Sequence, residues 1–132
     1  MIQEKFVDLY ARDSGTRDKL VAERDVVLTY ALHALLDAGL LDDLAFKGGT
    51  CLRKMTFGSS GRFSEDLDFT LDSERTEDDV LVDLVESFNC EHLGIGFRFN
   101  EYYKTDRDTS FGGEVLYRHS WNQSGRFVFD CR

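Results

Sequence analysis

The stretch Phe63-Ser64-Glu65-Asp66-Leu67-Asp68-Phe69-Thr70-Leu71 decides how this chain is read. From Asp66 onward polar and apolar residues alternate, the period of a strand with one buried face. Asp66, Asp68 and Thr70 then share one face, and Leu67, Phe69 and Leu71 share the other. Two carboxylates side by side on a strand repel each other unless a cation neutralises them. A pair of hard oxygen ligands at this spacing suits Mg2+. The same pattern would also serve as the solvent-facing edge of an acidic protein. Phe63 and Leu71 flank the pair and favour a core strand instead.

Upstream, Leu44-Ala45-Phe46 reads as a short strand running into Lys47-Gly48-Gly49-Thr50, with Cys51 to Met55 as a short helix after it. Glycines let a backbone approach a ligand closely, and a helix N-terminus offers free N–H groups and partial positive charge. With the Thr50 hydroxyl, this turn makes a phosphate cradle. Taken alone, a Gly-Gly before a helix is more often only a turn. The local charge favours the cradle: from Leu44 to Ser64 there is no acidic residue, yet Lys47, Arg53, Lys54 and Arg62 all lie there, in a chain of net charge -9. That is where a triphosphate would need countercharge.

Downstream, Arg126-Phe127-Val128-Phe129-Asp130-Cys131 puts Phe127 and Phe129 on one face and Val128 and Asp130 on the other. If this strand lies beside the Asp66 strand, Asp130 becomes a third carboxylate. Three carboxylates can hold two metal ions, which clamp the attacking and leaving oxygens of a phosphoryl-type displacement.

Around these segments the pattern is α+β. Apolar spacing predicts helices over about residues 2–11, with Ile2, Phe6, Val7 and Tyr10, and over 17–38, with Leu20, Val21, Val27, Leu28, Ala31, Leu32, Leu35 and Leu36. Gly39 stands where a helix ends. A further helix is expected over 77–88, with Thr76 as its N-cap. The last third reads as an antiparallel meander with strands near 95–103, 114–121 and 126–131. Gly112-Gly113 and Asn122-Gln123-Ser124-Gly125 supply the turns. The expected fold is a mixed or antiparallel sheet flanked by helices. His33 reads as a surface or half-buried histidine beside a helical stripe, and His92 and His119 as structural or surface residues.

The 132 residues fit one domain, and 42% hydrophobic content can build a core. With 16 basic against 25 acidic residues, the chain does not bind nucleic acid through bulk charge. No stretch is long and apolar enough to span a membrane. Cys51, Cys90 and Cys131 are far apart, and no CxxC or CxxH spacing exists, which argues against a structural zinc site. They read as buried or partly buried thiols in a reducing cytoplasm.

Phe46-Lys47-Gly48-Gly49-Thr50-Cys51-Leu52-Arg53, followed by Arg62-Phe63-Ser64-Glu65-Asp66-Leu67-Asp68-Phe69, resembles the signature of the AbiEii/AbiGii toxin family. These are nucleotidyltransferase-like proteins of abortive-infection and type IV toxin–antitoxin systems, the MenT toxins among them. They belong to the DNA polymerase β-like nucleotidyltransferase superfamily. The resemblance implies a cytoplasmic enzyme that binds an NTP with Mg2+ or Mn2+ and transfers a nucleoside monophosphate to an RNA acceptor, in MenT-like relatives the tRNA 3′ end. It implies that Asp66, Asp68 and Asp130 hold the metals, with Asp130 helping to activate the attacking hydroxyl. Gly48, Gly49 and Thr50 would hold the triphosphate, and Lys47, Arg53, Arg62 and Ser64 would contribute to nucleotide binding. A cognate antitoxin is an implied partner and a membrane is not.

Members of that family continue beyond the third strand into a helical part with a further Lys/Arg motif and another acid. This chain is therefore expected to be a single N-terminal catalytic core, with a homodimer as one way to cover the open face. Two alternatives stay open. One is a metal-dependent nuclease, since paired carboxylates serve both reactions. The other is a non-catalytic module that binds a nucleotide or an antitoxin.

Overall fold

The computed structural model describes residues 2–48, 51, 66–104 and 110–132. Helix α1 (Glu4–Asp13) buries Val7 and Ala11 against helix α2 (Lys19–Asp37). The Asp18 side chain caps α2, accepting from the backbone N–H groups of Leu20 and Val21 at 3.0 and 3.4 Å. Ala22, Val27, Leu28, Ala31 and Leu35 form the buried stripe of α2. Phe6, Leu20 and Leu36 fit the helical spacing but point outward, because each helix is covered on one side only. The helix stops where expected: Gly39 adopts φ 75°, a left-handed conformation open to glycine at little cost. A short 3-10 turn, Leu40–Asp42, then leads into the sheet.

Strand β1 (Leu44–Lys47) pairs antiparallel with β2 (Asp66–Leu71). Helix α3 (Glu77–Ser87) follows, with the Thr76 hydroxyl accepting from the Asp79 N–H at 3.2 Å. Its first turn carries Glu77, Asp78 and Asp79, placed to favour the helix dipole. The chain then builds β3 (Glu91–His92), β4 (Ile95–Lys104), β5 (Phe111–His119) and β6 (Asn122–Cys131). The sheet order is β1-β2-β6-β5-β4-β3. Every pairing is antiparallel except β2 with β6, which is parallel. That exception brings the chain's last strand back beside the aspartate strand.

Leu67 and Phe69 of β2 and Phe127 and Phe129 of β6 are buried on one face of the sheet. Phe69 stacks on Phe129 with ring centroids 5.2 Å apart, and Phe88, just after α3, meets Phe127 and Phe129 edge-on. One aromatic layer therefore locks β2 to β6 from beneath. A second tie joins α2 to the β5–β6 turn: Asn122 Nδ2 donates to both carboxyl oxygens of the buried Glu23, at 2.7 and 3.0 Å.

Three expectations are corrected. Gly112-Gly113 is no turn but the start of β5, in register with Asp130 and Phe129. Glycine is needed there for space: a Cβ on Gly112 would stand 2.2 Å from the Phe129 carbonyl oxygen, and one on Gly113 equally close to that of Glu101. Asn122 to Gly125 belong to β6, and the tight turn is at Ser120 and Trp121, whose indole N–H donates to the Ile2 carbonyl at 3.1 Å. Cys90 is exposed rather than buried, whereas Cys131 is buried and Cys51 partly so. Among the described residues no helix is long and apolar enough to cross a membrane.

Candidate active site

The parallel register of β2 and β6 sets Asp68 directly opposite Asp130, and Asp66 opposite Val128. Phe69 and Phe129 are held in the core, so alternation turns all three aspartates to the other face. One carboxylate oxygen from each lies within 4.8 Å of the other two, and each residue is half-buried. Strand β1 adds the next element, with Lys47 standing opposite Asp68. Gly48 follows with φ 85°, so close that a Cβ on it would lie 2.6 Å from Asp68 Oδ2. Only glycine both adopts that backbone and leaves the carboxylate its place.

The electrostatics follow from this crowding. Burial, and then the Asp130 charge, push Asp68 above its ordinary carboxylate range, while Lys47 and Arg132 partly offset them. Burial, and then Asp66, raise Asp130, again offset by Arg132. A cluster of partly desolvated like charges binds protons or cations more strongly than separate carboxylates do. Three hard oxygens converging at this range fit a divalent ion such as Mg2+ or Mn2+ and offer a poor home to a soft metal.

The sequence argument and the geometry meet at Asp66, Asp68, Asp130, Lys47 and Gly48, which the sheet brings to one place. Gly49, Thr50, Arg53, Arg62 and Ser64 lie outside the described residues, as does Lys54. Arg132 was not singled out from sequence, although its position two residues after Asp130 was the available signal. One groove, lined in part by Asn89, Glu91, Arg98 and Arg118, and another, lined in part by Phe6, Tyr10 and Tyr30, include none of the three aspartates.

Comparison with known proteins bears on this arrangement. The profile of the family described as Nucleotidyl transferase AbiEii toxin, Type IV TA system, matches residues 30–127. This chain belongs to that family. Two solved structures from Helicobacter pylori share its fold. One, described as a candidate nucleotidyltransferase, aligns with a TM-score of 0.52 and 19% identity, over 83% of this chain and 44% of its own. The other, JHP933, aligns with a TM-score of 0.51 and 22% identity, over 83% of this chain and 43% of its own. The chain thus spans less than half the length of either structure. No functionally curated protein matches it.

Proposed function

We propose that this AbiEii-family chain carries the catalytic half of a metal-dependent nucleotidyltransferase, which moves a nucleoside monophosphate from an NTP to an RNA hydroxyl, with the tRNA 3′ end as the acceptor. One observation carries the reading: three carboxylates from two neighbouring parallel strands converge within 4.8 Å, beside Lys47 and Gly48.

In this reading Asp66, Asp68 and Asp130 hold Mg2+ or Mn2+. The bound ion supplies charge neutralisation at the triphosphate and at the leaving oxygen. Gly48, Gly49 and Thr50 receive the phosphates through backbone and hydroxyl donors, and Lys47 adds a fixed positive charge beside them. Arg53, Arg62 and Ser64 take the same task from the segment between the turn and β2. The acceptor hydroxyl oxygen forms a bond to the α-phosphorus as the α–β phosphoanhydride bond breaks and pyrophosphate leaves. The hydroxyl proton passes to Asp130, which stands in the same carboxylate cluster. Family membership in a type IV toxin–antitoxin system supports a cognate antitoxin as partner and a cytoplasmic site of action.

The test is incubation with Mg2+, each α-labelled NTP in turn and total tRNA, with the Asp66→Ala/Asp68→Ala variant alongside. Label transferred by the wild type alone supports the reading and names the nucleotide. Label transferred equally by the variant overturns the assignment of these carboxylates. RNA cleavage without NTP would favour a nuclease.

A further inference from the structure

A second group of ligand-type side chains lies away from the aspartates. His33 and Asp37 stand one turn apart at the C-terminal end of α2, and His92 is the last residue of β3. Strands β5 and β4 separate β3 from β6, so this group lies at the β3 edge of the sheet, apart from the carboxylates on β2 and β6. His33 Nδ1 lies 2.8 Å from His92 Nε2, and Asp37 Oδ2 lies 3.6 Å from the first and 3.9 Å from the second.

We propose that His33, Asp37 and His92 form a binding site for a zinc-class transition-metal ion that clips the end of α2 to the sheet edge. The argument is geometric. In the plane of three atoms with these separations the equidistant point lies about 2.0 Å from each, and slightly above that plane the distance reaches the upper end of the roughly 2.0–2.2 Å at which Zn2+ bonds imidazole nitrogen and carboxylate oxygen. Without an ion the two imidazole nitrogens share one proton in a hydrogen bond, with the Asp37 carboxylate beside them, and a metal ion would take the place of that proton. A metal ion uses all three lone pairs at once.

The donor set also selects the ion. Two imidazoles with one carboxylate suit Zn2+, Ni2+ or Cu2+, whereas Mg2+ and Ca2+ prefer oxygen alone. His33 and Asp37 are exposed, which leaves room for water as a further ligand. The tight Leu93-Gly94 turn, with φ 51° and 86°, fixes the β3–β4 hairpin immediately after His92, so that ligand is delivered from a rigid element.

The experiment uses the full chain, stripped with a chelator and desalted. It is titrated with zinc chloride against a chromophoric competitor, and separately with cobalt chloride while the visible absorption is followed. One equivalent of zinc should bind, and cobalt should give the intense bands of a low-symmetry nitrogen–oxygen site. His33→Ala and His92→Ala should each weaken zinc at least about tenfold, as loss of a ligand shell contact does, and Asp68→Asn should leave it intact. Circular dichroism of each variant checks that the surface substitution leaves the fold unchanged. No zinc uptake by the wild type at micromolar free ion overturns the site. Uptake that survives both histidine changes and vanishes with Asp68→Asn overturns it as well, by assigning the ion to the carboxylates.

Discussion

Gly48 lies against Asp68 with no room for a methyl group: a Cβ there would stand 2.6 Å from Asp68 Oδ2 and 3.1 Å from Asp68 Cβ. The contact joins the end of β1 to the centre of the carboxylate cluster. It makes the glycine a spacer for the aspartate as well as a turn residue.

Gly48→Ala should therefore do two things. A side chain in the left-handed region costs about 1–2 kcal/mol, and the methyl group should push the Asp68 carboxylate out of the cluster. Gly39→Ala separates the two effects, because Gly39 shares the backbone conformation, φ 75°, and has nothing within 4 Å of its Cβ position. Both variants should lose several degrees of thermal stability. Only Gly48→Ala should lose nucleotidyl transfer and Mg2+ binding, by at least about tenfold. Equal activity of the two variants would show that Asp68 tolerates the crowding.

Asp68 and Asp130 give a pH dependence with a definite sign. Both have folded-state pKa values raised by burial and by a neighbouring aspartate. A carboxyl raised in this way contributes stability that is full below the unfolded value, about pH 4. That contribution is lost as pH rises through the raised folded value. Metal-free protein should thus lose stability from these groups as pH rises above about 4 and through their raised folded values. Asp68→Asn and Asp130→Asn should each flatten that decline and raise the neutral-pH Tm by a few degrees while abolishing transfer. Mg2+ should raise the wild-type Tm and leave that of the variants nearly unmoved. Calorimetry across pH with and without Mg2+ checks all of this, and a lower Tm for the asparagine variants would refute it.

Asn122 carries the link between α2 and the β5–β6 turn. Its amide donates to both oxygens of Glu23, which is fully buried and also lies 3.5 Å from His119 Nε2. Asn122→Ala leaves a buried carboxyl short of donors, at a cost of about 1–3 kcal/mol. Urea unfolding should show that loss. Transfer by the remaining folded protein should stay at the wild-type level, since the link does not touch the carboxylate face.

Much of this fold was legible because its signals are local. Alternation along Asp66 to Leu71 marked β2 to the residue, and Thr76 and Gly39 sit at the helix ends their residue types predict, whereas the Asp18 cap goes unread when the helix is expected to start at residue 17. The pairing of Asp68 with Asp130 was conditional on strand adjacency, which the sheet supplies through its parallel β2–β6 pair. Other features depend on distant neighbours. Gly112 and Gly113 look like turn residues until the Phe129 and Glu101 carbonyls are seen pressing on them. A two-residue strand such as β3 has no period to read. His33 and His92 are 59 residues apart, so their meeting has no spacing signature at all.

Val128 offers a test of where the metal sits that leaves the core alone. It lies opposite Asp66, on the face that Asp130 shares, and is 40% exposed. A lysine there would reach the aspartates along the sheet surface, and a cation within about 4–6 Å of a carboxylate lowers its pKa by about 1–3 units. Val128→Lys should relieve the repulsion in metal-free protein and raise its neutral-pH Tm, as the asparagine changes do. Unlike them, it keeps every carboxylate, so its loss of Mg2+ affinity, at least about tenfold, would come from charge competition alone. Val82→Lys on α3, also exposed, controls for the added charge and should leave Mg2+ binding unchanged. If Val128→Lys bound Mg2+ as tightly as the wild type, the ion would have to lie away from the β2–β6 face, and the assignment of Asp66, Asp68 and Asp130 as its ligands would fall.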